Sequence, residues 1–364
     1  MTPISACRDE LSPTCSAVAH VSCRSVFCSE CRPSITELLA RTMNRFARSL
    51  FLTVLLGVGL FPSVRAQTFP SRSIKIIVPF SAASATDTVA REVATRMSES
   101  WGQPVVVENK PGASGILGAV AVAKAPADGY TLFFTSNTTQ AANPSLFVSL
   151  PYVPVKDFVA VAPLAVASNL LVVNPALGVS TLKELIQRAK AQPGKLSFAY
   201  GSSLSRVNSE MLRSMAGIDI VPIAYKSNPQ GVSDLLGGHV QLMFADTITA
   251  MPQVKAGKLI ALGIGSARRS ALLPEVPTIA EAGLPGYELS GWLAVFAPAG
   301  TPEAVVSRLH AEINRILVLP EVRERLLQLG LDPMLGTSAQ LGELVRSEIP
   351  KWARITKEAG IKPE

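Results

Sequence analysis

Apolar runs of strand length alternate with stretches of helical periodicity from Phe69 onward. The first unit, residues 74–97 (IKIIVPFSAASATDTVAREVATRM), contains a β-branched run, a break at Pro79, a loop of small residues, and a helix with apolar positions at a spacing of four. We expect Thr86 or Asp87 to cap this helix, because short polar side chains at a helix start accept hydrogen bonds from its free N–H groups. Strands that alternate with helices predict an α/β fold with parallel sheets.

Two longer apolar segments, residues 160–173 and 289–298, read as crossings between two lobes. They predict a discontinuous first lobe, residues 69–167 plus 292–364, and a second lobe inserted at 168–291. The carboxyl ends of the strands of both lobes then face an interlobe cleft, which is where ligands bind in such sheets. Closure of the lobes about a hinge is the usual motion of this arrangement.

The N-terminal region contains a secretory signal at residues 43–66 (MNRFARSLFLTVLLGVGLFPSVRA). It has a basic start, an apolar run too short to span a bilayer comfortably, and small residues around a cleavage site after Ala66. We therefore expect export to the periplasm, with translation beginning at Met43 and residues 1–42 forming an upstream extension. No later run is apolar and long enough to predict a membrane helix.

All five cysteines lie in the first 31 residues, so the expected mature chain contains none. Cys28 and Cys31 have a zinc-like spacing, but no second pair follows, and we expect no metal site. The formal charge of +7 is scattered singly, without a run of Lys or Arg and without interleaved aromatic residues. This distribution argues against a nucleic-acid surface.

Residues that could carry catalysis are scarce in the expected mature chain. Its two histidines, His239 and His310, have no second histidine or cysteine nearby in the sequence. Gly112, Gly115 and Gly118 follow a predicted strand, but they lack the close glycine pair of a dinucleotide-binding loop. We expect no enzyme and no cofactor; an exported enzyme that acts on a small acid is the less favoured alternative.

Small polar residues instead follow four of the predicted strands, two in each lobe. The candidate ligand-binding residues are Ser81, Ala82, Ala83, Ser84, Thr86 and Asp87; Ser136, Asn137 and Thr138; Gly201, Ser202, Ser203 and Arg206; and Asp246. Each set alone has an ordinary explanation as loop and cap residues. Their convergence on one cleft favours a site in which hydroxyls, amides and backbone N–H groups bind a carboxylate. Asp246 either caps the next helix or meets an amine or hydroxyl of the ligand.

Several stretches also resemble one known family. They are FPSRSIKIIVPF, WGQPVVVENKPGASG, ADGYTLFFTSNTTQAANPSLF, DLLGGHVQLMFAD and KAGKLIALGIGSARRSALLPEVPTIAEAGLPGYELSGW. The chain resembles Bug-type receptors, the extracytoplasmic solute-binding proteins of tripartite tricarboxylate transporters, from Phe69 to about Lys362. The resemblance implies a periplasmic binding protein of the type II, Venus-flytrap fold that delivers a small mono- or dicarboxylate to a two-component membrane permease. We expect a monomer; a receptor that signals to a membrane kinase is compatible with the same fold.

Two loops depart from the pattern of this family. Members usually carry Pro-Gly-Gly after the first strand, where this chain has residues 81–84 (SAAS), so left-handed backbone conformations are costlier here. Arg206 stands near the position of a family histidine. It is either a solvated arginine at a helix start or a bidentate partner for a ligand carboxylate.

Overall fold

The computed structural model describes residues 69–364 of the 364-residue chain. The predictions for residues 1–42 and for the signal segment 43–66 lie outside the described residues. Within 69–364, no helix is long and apolar enough to cross a membrane.

The described chain begins with four strands and the helices between them. These elements are β1 (Ile74–Val78), α1 (Ala85–Trp101), β2 (Val105–Asn109), α2 (Ile116–Ala123), β3 (Thr131–Ser136), α3 (Asn143–Leu146), α4 (Pro154–Asp157) and β4 (Phe158–Ala167). β1 pairs in parallel with both β2 and β3. The polar run after β3 does not simply end the strand, as the sequence suggested, because Thr138–Ala142 forms a turn of π-helix that leads into α3.

After Ser168 the chain enters a second sheet. Its elements are β5 (Asn169–Val173), α5 (Leu182–Ala191), β6 (Ser197–Tyr200), α6 (Ser203–Ala216), β7 (Val221–Ala224), α7 (Asn228–Leu236), β8 (Leu242–Asp246), α8 (Thr247–Lys255) and β9 (Ile260–Ile264). The strand order is β7-β6-β8-β5-β9. β6 is parallel to β7 and β8, whereas β5 is antiparallel to β8 and β9.

The chain then returns to the first sheet. Its last elements are β10 (Gly291–Pro298), α9 (Glu303–Leu317), α10 (Pro320–Gln328), β11 (Leu331–Pro333) and α11 (Ser338–Glu358). The order of the first sheet is β11-β4-β10-β3-β1-β2. β10 runs antiparallel to β3 and β4, so both sheets are mixed and the prediction of parallel sheets was wrong in this respect. β10 and β11 run opposite to the other four strands of the first sheet, and β5 runs opposite to the other four strands of the second.

Helices cover both faces of the first sheet. Successive residues of a strand point to opposite faces, so neighbouring residues pack against different helices. Ile76 and Phe134 pack on the face covered by α1, α9 and α10. Ile77 and Phe133 pack on the other face, together with the fully buried Trp352 of α11. Both faces are apolar, so the ends of the strands are the places where polar chemistry can lie.

The loop between β1 and α1 contains a backbone conformation that the sequence analysis expected to be costly. Ala83 has a φ of 63°, in the left-handed region, and its side chain is exposed. Its N–H donates to Asp87 Oδ2 at 2.9 Å, which fixes the turn in spite of the missing glycine. Ser84, and neither Thr86 nor Asp87, caps α1: its Oγ accepts from Asp87 N at 3.3 Å.

Replacement of Ala83 by glycine is expected to stabilise the protein. Alanine in the left-handed region costs about 1–2 kcal/mol, while glycine adds about 0.4–1 kcal/mol of chain entropy to the unfolded state. We expect Ala83→Gly to raise the melting temperature by about 2 °C. Ala82→Gly is the matched control: this neighbour is exposed and has no positive φ, so its replacement should lower the melting temperature. Equal effects of the two changes would contradict the account of strain at Ala83.

Candidate functional site

A small cavity lies between the two sheets, at the ends of their strands. The space open to the centre of a water molecule is about 50 Å³, enough for roughly four waters. The lining residues come from both sheets: Phe80, Ser84, Ala85, Thr86, Ser136, Asn137, Thr138, Ala167, Asn169, Gly201, Ser202, Leu204, Asn228, Asp246, Trp292 and Leu293. Phe80, Leu204, Trp292 and Leu293 supply the apolar part of the wall.

Four helices begin at this cavity. Its lining includes residues at the starts of α1, α6, α7 and α8. The first N–H groups of a helix have no carbonyl partner within the helix, and the helix dipole places partial positive charge there. Side chains cap one N–H each: Ser84 Oγ at α1, and Ser202 Oγ at α6, which accepts from Ser205 N at 3.2 Å. The cavity is therefore a favourable place for an anion, although no Lys, Arg or His within residues 69–364 lines it.

Three polar groups of the wall are buried and lack a hydrogen-bond partner among the described residues. They are Asn137 Nδ2, Thr138 Oγ and Trp292 Nε1. Asn137 Oδ1 is paired, since it accepts from Trp292 N at 3.3 Å, which leaves the amide NH2 without a protein acceptor. A buried polar group without a partner costs about 1–3 kcal/mol. The three residues line the cavity, and a ligand with acceptor atoms could supply partners for these groups.

Asp246 is the one ionisable residue among the described residues that line the cavity. It caps α8, because its Oδ1 accepts from Thr249 N at 3.0 Å. Its Oδ2 accepts from Asn228 Nδ2 at 3.0 Å. Burial raises the pKa of Asp246 above its ordinary value, although the hydrogen bonds from Asn228 and Thr249 oppose the shift. Asp246 therefore caps a helix and also lies on the cavity wall. The cap does not exclude a contact with an amine or hydroxyl of the ligand.

Eight of the fourteen residues proposed from the sequence line the cavity: Ser84, Thr86, Ser136, Asn137, Thr138, Gly201, Ser202 and Asp246. Ser81 does not line it, and Ala82, Ala83 and Asp87 border a separate outer groove with Arg91 and Arg96. Asp87 braces the loop from behind: its carboxylate accepts hydrogen bonds from Ala83 N, from Arg91 Nε at 3.0 Å and from Asn109 Nδ2 at 2.7 Å.

Ser203 and Arg206 connect the lobes and do not line the cavity. Ser203 Oγ donates to Asn143 Oδ1 at 2.7 Å, and both residues are buried. The Arg206 guanidinium forms an ion pair with Glu364, with Nη1 2.8 Å from Oε1, and its side chain is only 12% exposed. In this structure the guanidinium is directed to Glu364 and not into the cavity, so the structure does not support Arg206 as a bidentate partner of a ligand carboxylate.

The sequence analysis missed eight lining residues: Phe80, Ala85, Ala167, Asn169, Leu204, Asn228, Trp292 and Leu293. Asn228 could have been predicted from the sequence, because it is a polar residue that follows a strand and starts a helix, like the candidates that were chosen. Trp292 and Leu293 begin β10, which the hydropathy pattern marked as a crossing. A crossing strand passes between the lobes, and its first residues therefore lie beside the cleft.

Two α/β lobes that close on an anion-binding cavity define the class of solute-binding proteins. The sequence profile of the "Tripartite tricarboxylate transporter family receptor" family matches residues 89–361. Protein BugT of Bordetella pertussis is 38% identical over 307 residues, which are 84% of this chain and 94% of BugT. The chain belongs to the tripartite tricarboxylate transporter receptor family, which confirms the Bug-type resemblance. The family consists of receptors, as predicted, and not of enzymes.

Solved structures support the same assignment. Rpa4515 of R. palustris, solved with adipate, has a TM-score of 0.80 and 34% identity, over 81% of this chain and all of that chain. The periplasmic binding protein BugD has a TM-score of 0.78 and 32% identity, again over 81% of this chain and 100% of that one. The prediction of a two-lobed periplasmic binding protein fold is confirmed.

Asp87 should make the stability of the protein depend on acid pH. Burial opposes its ionisation, but the hydrogen bonds from Arg91, Asn109 and Ala83 outweigh burial and hold its pKa below the ordinary value. This contribution is complete above the unfolded pKa of about 3.9 and is lost as the pH falls through the folded pKa. Asp87→Asn should therefore lose about 1–3 kcal/mol of unfolding free energy near pH 7, and much less near pH 3.

Urea unfolding at both pH values measures this difference. Asp128→Asn is the control, because Asp128 pairs with Arg72 at the surface, with side chains 40% and 61% exposed, and should contribute less than about 1 kcal/mol. A deficit of Asp87→Asn that is as large at pH 3 as at pH 7 would contradict the bracing role of the carboxylate.

Proposed function

We propose that this chain binds a small carboxylate in the interlobe cavity and delivers it to a two-component membrane permease. The observation that carries the proposal is the set of buried, unpaired groups on Asn137, Thr138 and Trp292, at a point where four helices begin. Such groups can bind a carboxylate without a buried cation. The adipate found in the related structure Rpa4515 is a carboxylate of the class we propose.

The first lobe would hold the carboxylate. Thr138 Oγ and the amide of Asn137 are free to donate, and Ala85 and Thr86 belong to the first turn of α1, whose N–H groups lack intrahelical partners. Ser202 and Asp246 would contact the rest of the ligand from the second lobe. Of the other residues first proposed, Asp87 would act by shaping the loop rather than by touching the ligand.

The direct bonds between the lobes support a hinge mechanism. Ser203 and Asn143, and Arg206 and Glu364, join α6 of the second lobe to parts of the first lobe. Thr247 Oγ at the start of α8 adds bonds to the carbonyls of Leu329 and Gly330, both at 3.2 Å. We infer that these contacts stabilise the closed state and break when the ligand leaves, with lobe boundaries at 167/168 and 291/292.

The receptor would be exported and would act outside the cytoplasm. Export would use the signal at residues 43–66 with cleavage after Ala66, which fits the periplasmic relative BugD. The partners would be a small organic acid and the two integral membrane components of a tripartite transporter. The receptor would act as a monomer, without a cofactor or a metal ion.

Removal of the Thr138 hydroxyl should affect stability and binding in opposite directions. Valine has nearly the shape of threonine, so Thr138→Val removes a buried unpaired group and should leave the free protein at least as stable. It should weaken binding of carboxylates about 10- to 100-fold, because a hydrogen bond to a charged group contributes about 1.5–3 kcal/mol. The measurement is calorimetry and thermal shift on residues 67–364 with a panel of mono-, di- and tricarboxylates, amino acids, aromatic acids and sugars.

A ligand at about a hundred times its Kd should add about 2.7 kcal/mol to the stability of the parent protein. Thr95→Val is the control, since Thr95 is exposed on α1 and its Oγ donates only to the carbonyl of Arg91. A parent protein that binds no carboxylate, or that binds only neutral sugars, would overturn the proposed function.

A further inference from the structure

The two walls of the cavity differ in their hydrogen-bonding character. The first lobe contributes the unpaired donors of Asn137, Thr138 and Trp292. The second lobe contributes the carboxylate of Asp246, which is only 7% exposed. The first wall thus offers donors that lack partners, whereas the second presents a carboxylate acceptor, so the cavity favours a ligand with unlike ends.

The Asp246 carboxylate keeps one acceptor position that no protein group within residues 69–364 occupies. Its Oδ1 accepts two hydrogen bonds from Thr249, from the backbone N and from the side-chain Oγ, both at 3.0 Å. Its Oδ2 accepts one, from Asn228 Nδ2. The Asn228 side chain is itself fixed, because its Oδ1 accepts from Gly201 N at 3.2 Å. A carboxylate has about four acceptor positions, so Oδ2 keeps one position for a donor in the cavity.

A second carboxylate of a ligand would be poorly placed beside Asp246. No Lys, Arg or His is present among the described lining residues to neutralise the pair, and Asp246 itself is buried. Like charges placed side by side in an interface repel each other, and a diacid would bind only with one of the two carboxyl groups protonated. A hydroxyl or an ammonium group at this end of the ligand would instead donate to Asp246 Oδ2.

We propose that this receptor is specific for small monocarboxylates that carry a hydrogen-bond donor at the far end, as hydroxy acids and amino acids do, and that Asp246 rejects diacids of the same length. The inference rests on the proposed function, because it assumes that the carboxylate lies against the first lobe. In the conformation of this structure the cavity leaves about 50 Å³ for water centres, and we therefore take a short chain of about three or four carbons as the size limit of the ligand.

Two matched ligand series test this specificity. Propionate, 3-hydroxypropionate, β-alanine and malonate share one carboxylate and differ at the other end of a three-carbon chain; butyrate, 4-hydroxybutyrate, 4-aminobutyrate and succinate do the same with four carbons. Calorimetric titration of residues 67–364 near pH 7 should give the hydroxy or amino acid of a series an affinity at least about tenfold above that of its diacid. A diacid that binds as tightly as the hydroxy and amino acids of its series would overturn the inference.

Asp246→Asn tests the residue itself. Asparagine also caps helices well, so the helix start can be retained while the charge is removed. The variant should bind diacids more tightly than the parent and reduce the difference between the hydroxy acid and the diacid to about threefold or less. Asp234→Asn is the control: it removes a carboxylate of the same lobe that accepts from Tyr225 Oη and does not line the cavity.

The parent protein alone already decides the question, so a poorly folded Asp246→Asn variant would not prevent the test. If the parent binds none of the acids in either series but binds longer carboxylates, the size limit and this inference fail while the proposed function stands. If it binds no carboxylate of any length, the proposed function fails, and the inference fails with it. An unchanged preference in a folded Asp246→Asn variant would show that Asp246 is not the determinant.

Discussion

The structure depends on one electrostatic arrangement: the starts of α1, α6, α7 and α8 meet at a single small cavity. A buried anion normally needs a cation or several strong donors. Here the unpaired N–H groups of the helix starts, together with side-chain donors such as Thr138 Oγ, can donate hydrogen bonds to the anion in place of a cation. Because every donor is neutral, the ligand carries the charge into the site, and it can leave again without abandoning a buried cation.

The same arrangement explains why two lobes are needed. α1 belongs to the first sheet, whereas α6, α7 and α8 follow strands of the second, so both lobes contribute helix starts to the cavity. Ser203 and Asn143 are joined directly across the cleft by a buried bond of 2.7 Å. Each lobe alone would therefore offer an incomplete site.

Sequence reasoning found the architecture and about half of the site, for identifiable reasons. Strand and helix periodicity located β1, α1 and the crossing segments around β4, β5 and β10, since burial on two faces leaves a clear apolar pattern in such strands. It did not give strand direction, because β10 has the same composition whether it runs parallel or antiparallel to β3. Arg206 illustrates a second limit: its position near the loop was visible, but its pairing with Glu364, 158 residues away, was not. Trp292 was missed because the sequence pattern predicts that an aromatic residue on an apolar strand belongs to the hydrophobic core.

The most direct test of the account is an NMR titration. The indole N–H signals are recorded while a carboxylate that binds the protein is added. The chain has three tryptophans. Trp292 Nε1 is buried without a partner, whereas Trp352 Nε1 already donates to Glu348 at 3.0 Å and Trp101 packs against Phe69 at the far end of α1. The account predicts that the Trp292 signal moves strongly as its N–H gains an acceptor and that the other two remain in place. A bound carboxylate that leaves the Trp292 signal unchanged would contradict the claim that unpaired donors of this cavity bind the anion.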